Sequence, residues 1–253
     1  MDAKHLVAHR GWQRRFPENT IAAVAGALEA GAHYIEVDVQ VTADGEPVLF
    51  HDDTLDRICR QRGAIHDYTH AQLQTFSAYE PDRFGEQFRG EPIAHLRELI
   101  ELFERHPHAH LYLEIKDCPV NQFGNEKTYA AVLPYIERIK SRCTLISFVF
   151  DFLRYAAAQG WPAVGPVLNR WEEIDSEAVA AIKPAVIFCD TEQLPPQRDL
   201  HAIPYPIVVY EVQDAAFARI LLERGVQRVE TFTVGELLGT RLSGATSTIS
   251  QRP

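Results

Sequence analysis

Residues Tyr34–Val41 alternate without a break. Ile35, Val37, Val39 and Val41 project to one side, and Tyr34, Glu36, Asp38 and Gln40 to the other, which is the period of two expected of a strand. The break that follows, Thr42–Glu46, carries an Asp-Gly pair, a hairpin signal, and is too short for a helical crossover. Pro47–His51 is therefore predicted to return antiparallel. That return carries His51 and Asp52 back toward the strand bearing Glu36 and Asp38. Two carboxylates on one strand face beside a delivered imidazole suit a metal site with an acid–base partner. An ordinary amphipathic hairpin with a solvated polar face would have the same pattern.

Around this stretch the chain alternates strand and helix. His5–His9 is a short apolar strand ending in His9-Arg10-Gly11. A loop with Pro17-Glu18-Asn19-Thr20 leads into a helix over Ile21–Ala30, with Asn19 or Thr20 as its N-cap and Gly31 as its stop. Strand, helix and strand make a parallel βαβ unit, and His9 falls at the carboxyl end of its strand, where such folds place their chemistry. The segment over 53–95 leaves this rhythm and has one short helical candidate, Ala71–Ala78, so it is predicted to be an insertion after the hairpin. Leu96–Arg105 has clean helical spacing, and His106, His108 and His110 are expected in a solvated connector.

Leu111–Asp117 repeats the earlier pattern. Leu111, Leu113 and Ile115 face one way, and Tyr112, Glu114 and Lys116 the other. A strand between helices is buried on both faces and normally apolar on both, so Glu114 and Lys116 need partners or a ligand. Further strands follow at Thr144–Val149, Ala163–Leu168, Ala185–Asp190, Ile207–Val212 and Arg228–Phe232. Helices are expected over Phe152–Gln159, Trp171–Ile182, Ala215–Arg224 (capped by Asp214) and Val234–Leu238. Leaving out the hairpin return, the parallel strands number eight, which in a chain of 253 residues predicts a single TIM (β/α)8 barrel domain over 1–253. Thr240–Pro253, rich in Ser, Thr and Gly, reads as a docked or loose tail.

A net charge of −10 argues against a nucleic-acid partner, though one local cationic pocket could still hold a phosphate ester. Cys59, Cys118, Cys143 and Cys189 are scattered and without a CxxC pair, consistent with reduced thiols. The amino-terminal MDAKHLVAHRG has no apolar run of signal-peptide length, and no stretch suits stable membrane insertion. A cytoplasmic protein is the expectation.

On a barrel the ends of the first three parallel strands are neighbours. That gathers His9 and Arg10, Glu36 and Asp38, Glu114 and Lys116, with His51 arriving on the hairpin. Three carboxylates without thiolates suit a hard divalent ion, Mg²⁺ or Ca²⁺. Two imidazoles and two cations beside such an ion suit displacement at phosphorus, one imidazole taking a proton from the attacking oxygen and the other protonating the leaving alkoxide.

The segments AHRG (Ala8–Gly11), PENT (Pro17–Thr20), EVDVQVTADGEPVLFHDDTLDR (Glu36–Arg57), LEIK (Leu113–Lys116) and Ser147-Phe148 resemble the glycerophosphodiester phosphodiesterase family, as does the insertion after the hairpin. The likeness is specific through about Lys116 and architectural beyond it. It implies a barrel that hydrolyses small-molecule glycerophosphodiesters to sn-glycerol 3-phosphate and an alcohol. It also implies His9 and His51 as the acid–base pair, Glu36, Asp38 and Glu114 on the metal, Arg10 and Lys116 on phosphate, and Glu18 and Asn19 in support.

The second half departs from that pattern. Tyr210-Glu211-Val212-Gln213 stands where the family usually has Trp-Thr-Val-Asn, and Glu230-Thr231-Phe232 where the last strand usually ends in Thr-Asp. Tyr210 would supply an aromatic wall or pack in the core, and Glu211 would meet a cationic head group or face solvent. Two other readings compete. One is a phospholipase on the same barrel, lysophospholipase D-like or phosphoinositide phospholipase C-like, and the other a non-catalytic phosphate-binding barrel. Both histidines turned into the carboxylate pocket would favour catalysis, and both turned outward would favour binding.

Overall fold

In a computed structural model, residues 1–240 are described, so all of the expected tail beyond Thr240 lies outside the described residues. The strands are β1 (Leu6–His9), β2 (Tyr34–Val41), β3 (Pro47–Leu49), β4 (His110–Ile115), β5 (Cys143–Ser147), β6 (Val164–Pro166), β7 (Ile187–Asp190), β8 (Ile207–Tyr210) and β9 (Arg228–Thr231). They run in the order β6-β5-β4-β2-β1-β9-β8-β7, all parallel, with β3 hung antiparallel on β2. The outer two nearly close a barrel through a single bridge, Val167 to Phe188, where Leu168 N–H donates to the Phe188 carbonyl at 2.8 Å. Gly165 permits this seam, since a Cβ there would lie 2.7 Å from the Val186 carbonyl oxygen. This is a TIM barrel of eight parallel strands and surrounding helices.

Alternation sorts the side chains into two cores. Ile35, Val37 and Val39 of β2 join Leu111, Leu113 and Ile115 of β4 beneath the helices. Inside the barrel, Val7, Tyr112, Ile146, Phe188 and Val208 fill the lower interior. The polar face of β2 has no solvent, because every residue from Ile35 to Val41 is buried. Glu36, Asp38 and Gln40 are each 1% exposed, so the amphipathic-hairpin reading fails.

Several boundaries differ from the sequence reading, each for a local reason. Trp171–Ile182 is a 3-10 turn (Trp171–Asp175) and a helix (Glu177–Ile182), divided where Ser176 turns extended and caps the Val179 N–H. The insertion's helix spans only His70–Leu73 and shares its segment with short turns at Asp56–Cys59, Ile65–Asp67 and Pro81–Phe84. These turns enclose a small apolar cluster with the hairpin, including Phe50, Leu55, Ile58, Ile65, Leu73 and Ile93. His110 is a correction. It opens β4 half-buried against Thr144 Oγ1 at 2.9 Å, and burial pushes its pKa down to about 4; only His106 and His108 fit the connector. Thr20 rather than Asn19 caps the first helix, accepting from the Ala23 N–H.

Candidate active site

Register aligns the candidate residues at the carboxyl ends of the strands. His9 is level with Glu36 across β1 and β2, and Asp38 with Glu114 across β2 and β4. Glu36, Asp38 and Glu114 each offer an oxygen, all within 4.8 Å of one another. Two cations stand against them. Arg10 Nε lies 3.1 Å from Asp38 and its Nη1 2.9 Å from Glu18, while Lys116 Nζ lies 2.8 Å from Glu114 and 3.4 Å from Asp38. Asn19, held at φ 55°, donates its amide to Asp38 at 2.8 Å and accepts the Asp38 N–H at 3.0 Å.

Charge sets the protonation tendencies. Burial, then Asp38, Glu230 and Glu114, push Glu36 well above the ordinary carboxyl value. Asp38 goes the other way: burial would raise it, but Arg10 and Lys116 hold it well below. Burial likewise raises Glu114, reinforced by Asp38 and opposed by Lys116. One Glu36 oxygen has no hydrogen-bond partner despite full burial.

The two imidazoles differ. His9 is 7% exposed, stacked on Phe232 with centroids 5.0 Å apart, and lies between Glu36 (Nε2 to Oε2, 3.7 Å) and Glu211 (Nδ1 to Oε1, 3.5 Å). Burial, seconded by Arg10, lowers its pKa well below the ordinary value and favours the neutral ring. His51 Nδ1 donates to Asp52 at 2.9 Å, which leaves Nε2 as the nitrogen able to exchange a proton. Asp52 is gripped by Arg57 through two bonds of 2.7 Å, and Arg57 continues to Glu18 at 2.7 and 2.9 Å. Burial acts to raise the Asp52 pKa, yet the bonds from His51 and Arg57 hold it well below the carboxylate range. The insertion closes this chain: Glu80, 2% exposed, accepts from the Glu18 N–H at 3.2 Å and from Arg83 at 2.7 Å.

His9, Arg10, His51, Glu114 and Lys116 line one cavity of about 100 Å³. Its other wall is made by Phe148, Val167, Phe188, Tyr210, Glu211 and Glu230. Tyr210 and Glu211 therefore face the mouth: Tyr210 is aromatic wall, and Glu211, with a side chain 40% exposed, is also a neighbour of His9. Glu230, Phe232, Asp52, Arg57 and Glu80 were not among the sequence-derived site residues. For Glu230 a signal existed, a carboxylate within a barrel strand, the same irregularity that marks Glu36 and Glu114. Arg57 lay inside the quoted segment Glu36–Arg57 without an assigned role, and the links of Arg57 and Glu80 to Glu18, 39 and 62 residues away, had no sequence signal.

Barrel and acidic mouth together define an α/β-barrel protein with its polar groups at the carboxyl ends of the strands. Residues 9–231 match the profile of the Glycerophosphoryl diester phosphodiesterase family, and the chain belongs to that family. A glycerophosphodiester phosphodiesterase of Caldanaerobacter subterraneus is 45% identical over 97 residues, 38% of this chain and 39% of that protein. One from Bacillus altitudinis is 32% identical over 143 residues, 56% of this chain and 57% of its own length. The matched region thus spans about two fifths to three fifths of these relatives. Among solved structures, an Oleispira antarctica phosphodiesterase in complex with the product sn-glycerol-3-phosphate superposes with a TM-score of 0.80 at 27% identity, covering 93% of this chain and 96% of that one. The Thermotoga maritima glycerophosphodiester phosphodiesterase shares the fold, with a TM-score of 0.71 at 23% identity over 93% of this chain and 97% of its own.

Proposed function

We propose that the protein hydrolyses glycerophosphodiesters to sn-glycerol 3-phosphate and an alcohol in a metal-dependent reaction, with His9 and His51 as the acid–base pair. The observation that carries this reading is the meeting of both imidazoles and both cations in one cavity beside three converging carboxylates. The family and the product complex of the Oleispira phosphodiesterase support the substrate class. Both histidines line the cavity, which favours catalysis over a non-catalytic phosphate-binding barrel.

A divalent ion fits the residues present. Glu36, Asp38, Glu114 and Glu230 are four buried carboxylates against the two cations Arg10 and Lys116, and an oxygen of Glu36 lacks a partner. All these donors are hard oxygens, so Glu36, Asp38 and Glu114 would hold Mg²⁺ or Ca²⁺. When bound, such an ion supplies Lewis-acid polarisation of the phosphoryl group. The chain's own groups do the rest. Arg10 and Lys116, pinned by their carboxylate partners, orient the phosphate and offset its charge. One imidazole removes a proton from the attacking water, and the other protonates the departing alkoxide. Asp52 and Arg57 fix the His51 ring, while Glu18 and Asn19 hold Arg10 and Asp38.

The test is release of sn-glycerol 3-phosphate from glycerophosphocholine and glycerophosphoethanolamine by metal-stripped protein, with and without added Mg²⁺ or Ca²⁺. Release is expected only with the ion, and His51→Ala should lower turnover by about 10²–10⁴-fold. Release undiminished in the variant would remove His51 from the chemistry. No release with either ion would turn attention to lysophospholipids, and silence there would reinstate the binding-barrel reading.

A further inference from the structure

The cavity's lining is of two kinds. One part carries the imidazoles and cations just described. The apolar part of the lining is given by the Phe148 and Phe188 rings and Val167, and a fully buried carboxyl group, Glu230, lines the same cavity. Glu230 projects from β9 at the level of Val7 on β1 and is 2% exposed. Its Oε1 has no hydrogen-bond partner. Among the described residues, two groups converge closely enough for an ion, Glu36 with Asp38 and Glu114, and Glu18 with His51 and Asp52, and Glu230 belongs to neither. Glu230 is among the residues lining the cavity, and its Oε1 is a buried acceptor without a donor. A buried acceptor left without one is costly, so what fills the cavity should supply it.

Within the phosphodiesterase reading above, on which this inference rests, we propose that Glu230 is a substrate-binding residue whose free carboxylate oxygen accepts a hydrogen bond from a hydroxyl of the glycerol moiety. A short polyol has the matching surfaces: carbon-bound hydrogens for Phe148 and Phe188, and an O–H for Glu230. A quaternary ammonium group has no hydrogen to donate, so the half-exposed Glu211 at the rim suits it better than Glu230 does. Glu230 thereby makes the site prefer glycerol-bearing esters over phosphates of simple alcohols.

Calorimetric binding of two phosphate monoesters, sn-glycerol 3-phosphate and ethyl phosphate, in saturating Mg²⁺ tests this without requiring turnover. The native chain is expected to prefer the glycerol ester by about tenfold, the worth of giving one buried, unpartnered acceptor its hydrogen bond. Glu230→Leu is expected to bring the two affinities within about twofold. Should the Leu variant not fold, Glu230→Ala removes the acceptor with less apolar bulk and should likewise bring the two affinities within about twofold. A preference unchanged by substitution, or no preference in the native chain, would overturn the assignment of Glu230 alone. Binding of neither ester would instead strike at the phosphodiesterase reading and carry this inference down with it.

Discussion

At the scale of single residues, burial is the dominant force on the candidate site. Glu230 and Glu36 are driven toward the protonated form by desolvation and by carboxylate neighbours, whereas Asp38 and Asp52 are kept ionised by cations in direct contact. The consequence for stability can be signed. The folded-state pKa of Glu230 is raised above its ordinary 4.5, so the folded chain favours the proton. The destabilising effect is absent below about pH 4.5 and grows as pH rises toward the folded pKa. In metal-free protein, Glu230→Gln should match the native Tm near pH 4 and exceed it at pH 7 by about 2–4 °C. Thermal unfolding at the two pH values decides the matter, and a difference that stays constant with pH would refute the account.

At the scale of elements, the loop between β1 and the first helix (Ile21–Glu29) delivers most of the support. Arg10 and Gly11 both take positive φ, 54° and 82°, reversing the chain directly after His9. A Cβ at Gly11 would stand 2.6 Å from the Ala23 backbone carbon, and the left-handed conformation would strain it further. Gly11→Ala should destabilise the fold by about 2–3 kcal/mol, seen as a lower urea midpoint with unchanged slope. A midpoint within error of the native value would show that the turn relaxes freely. The strands were legible because their alternation is local, and so were the caps at Thr20 and Asp214. The helix over Asp117–Ile136 was expected only in outline. Its Pro119, Gly124 and Pro134 blur the helical period, and Gly124 breaks it with φ 81°.

At the scale of the whole molecule, the barrel concentrates negative charge at its own centre. Its four buried carboxyl groups outnumber the two nearby cations, and a divalent ion would supply the charge that lets all four ionise. Mg²⁺ or Ca²⁺ at a hundred times its dissociation constant should therefore stabilise the protein by about 2.7 kcal/mol. Asp38→Asn and Glu36→Gln should each abolish most of that gain. A Tm indifferent to both ions at neutral pH would disqualify the carboxylate triad as a metal site. No described helix is long and apolar enough to cross a membrane.

Sequence alone determined the alternating elements and the residues that break their rules: Glu36, Asp38 and Glu114 on barrel strands, and His9 and His51 at strand ends. Those signals survive in one dimension because side-chain parity along a strand is a local property. Tertiary structure decided what parity cannot reach. The meeting of Arg57 with Glu18, 39 residues apart, depends on how the insertion folds over the mouth. The pairing of His9 with Glu211 and Phe232 depends on the barrel bringing its last strands beside its first. Whether Glu230 faced solvent, ion or cavity could be read only after the strands closed around it, because burial and the company of other charges belong to the assembled barrel and not to any segment of it.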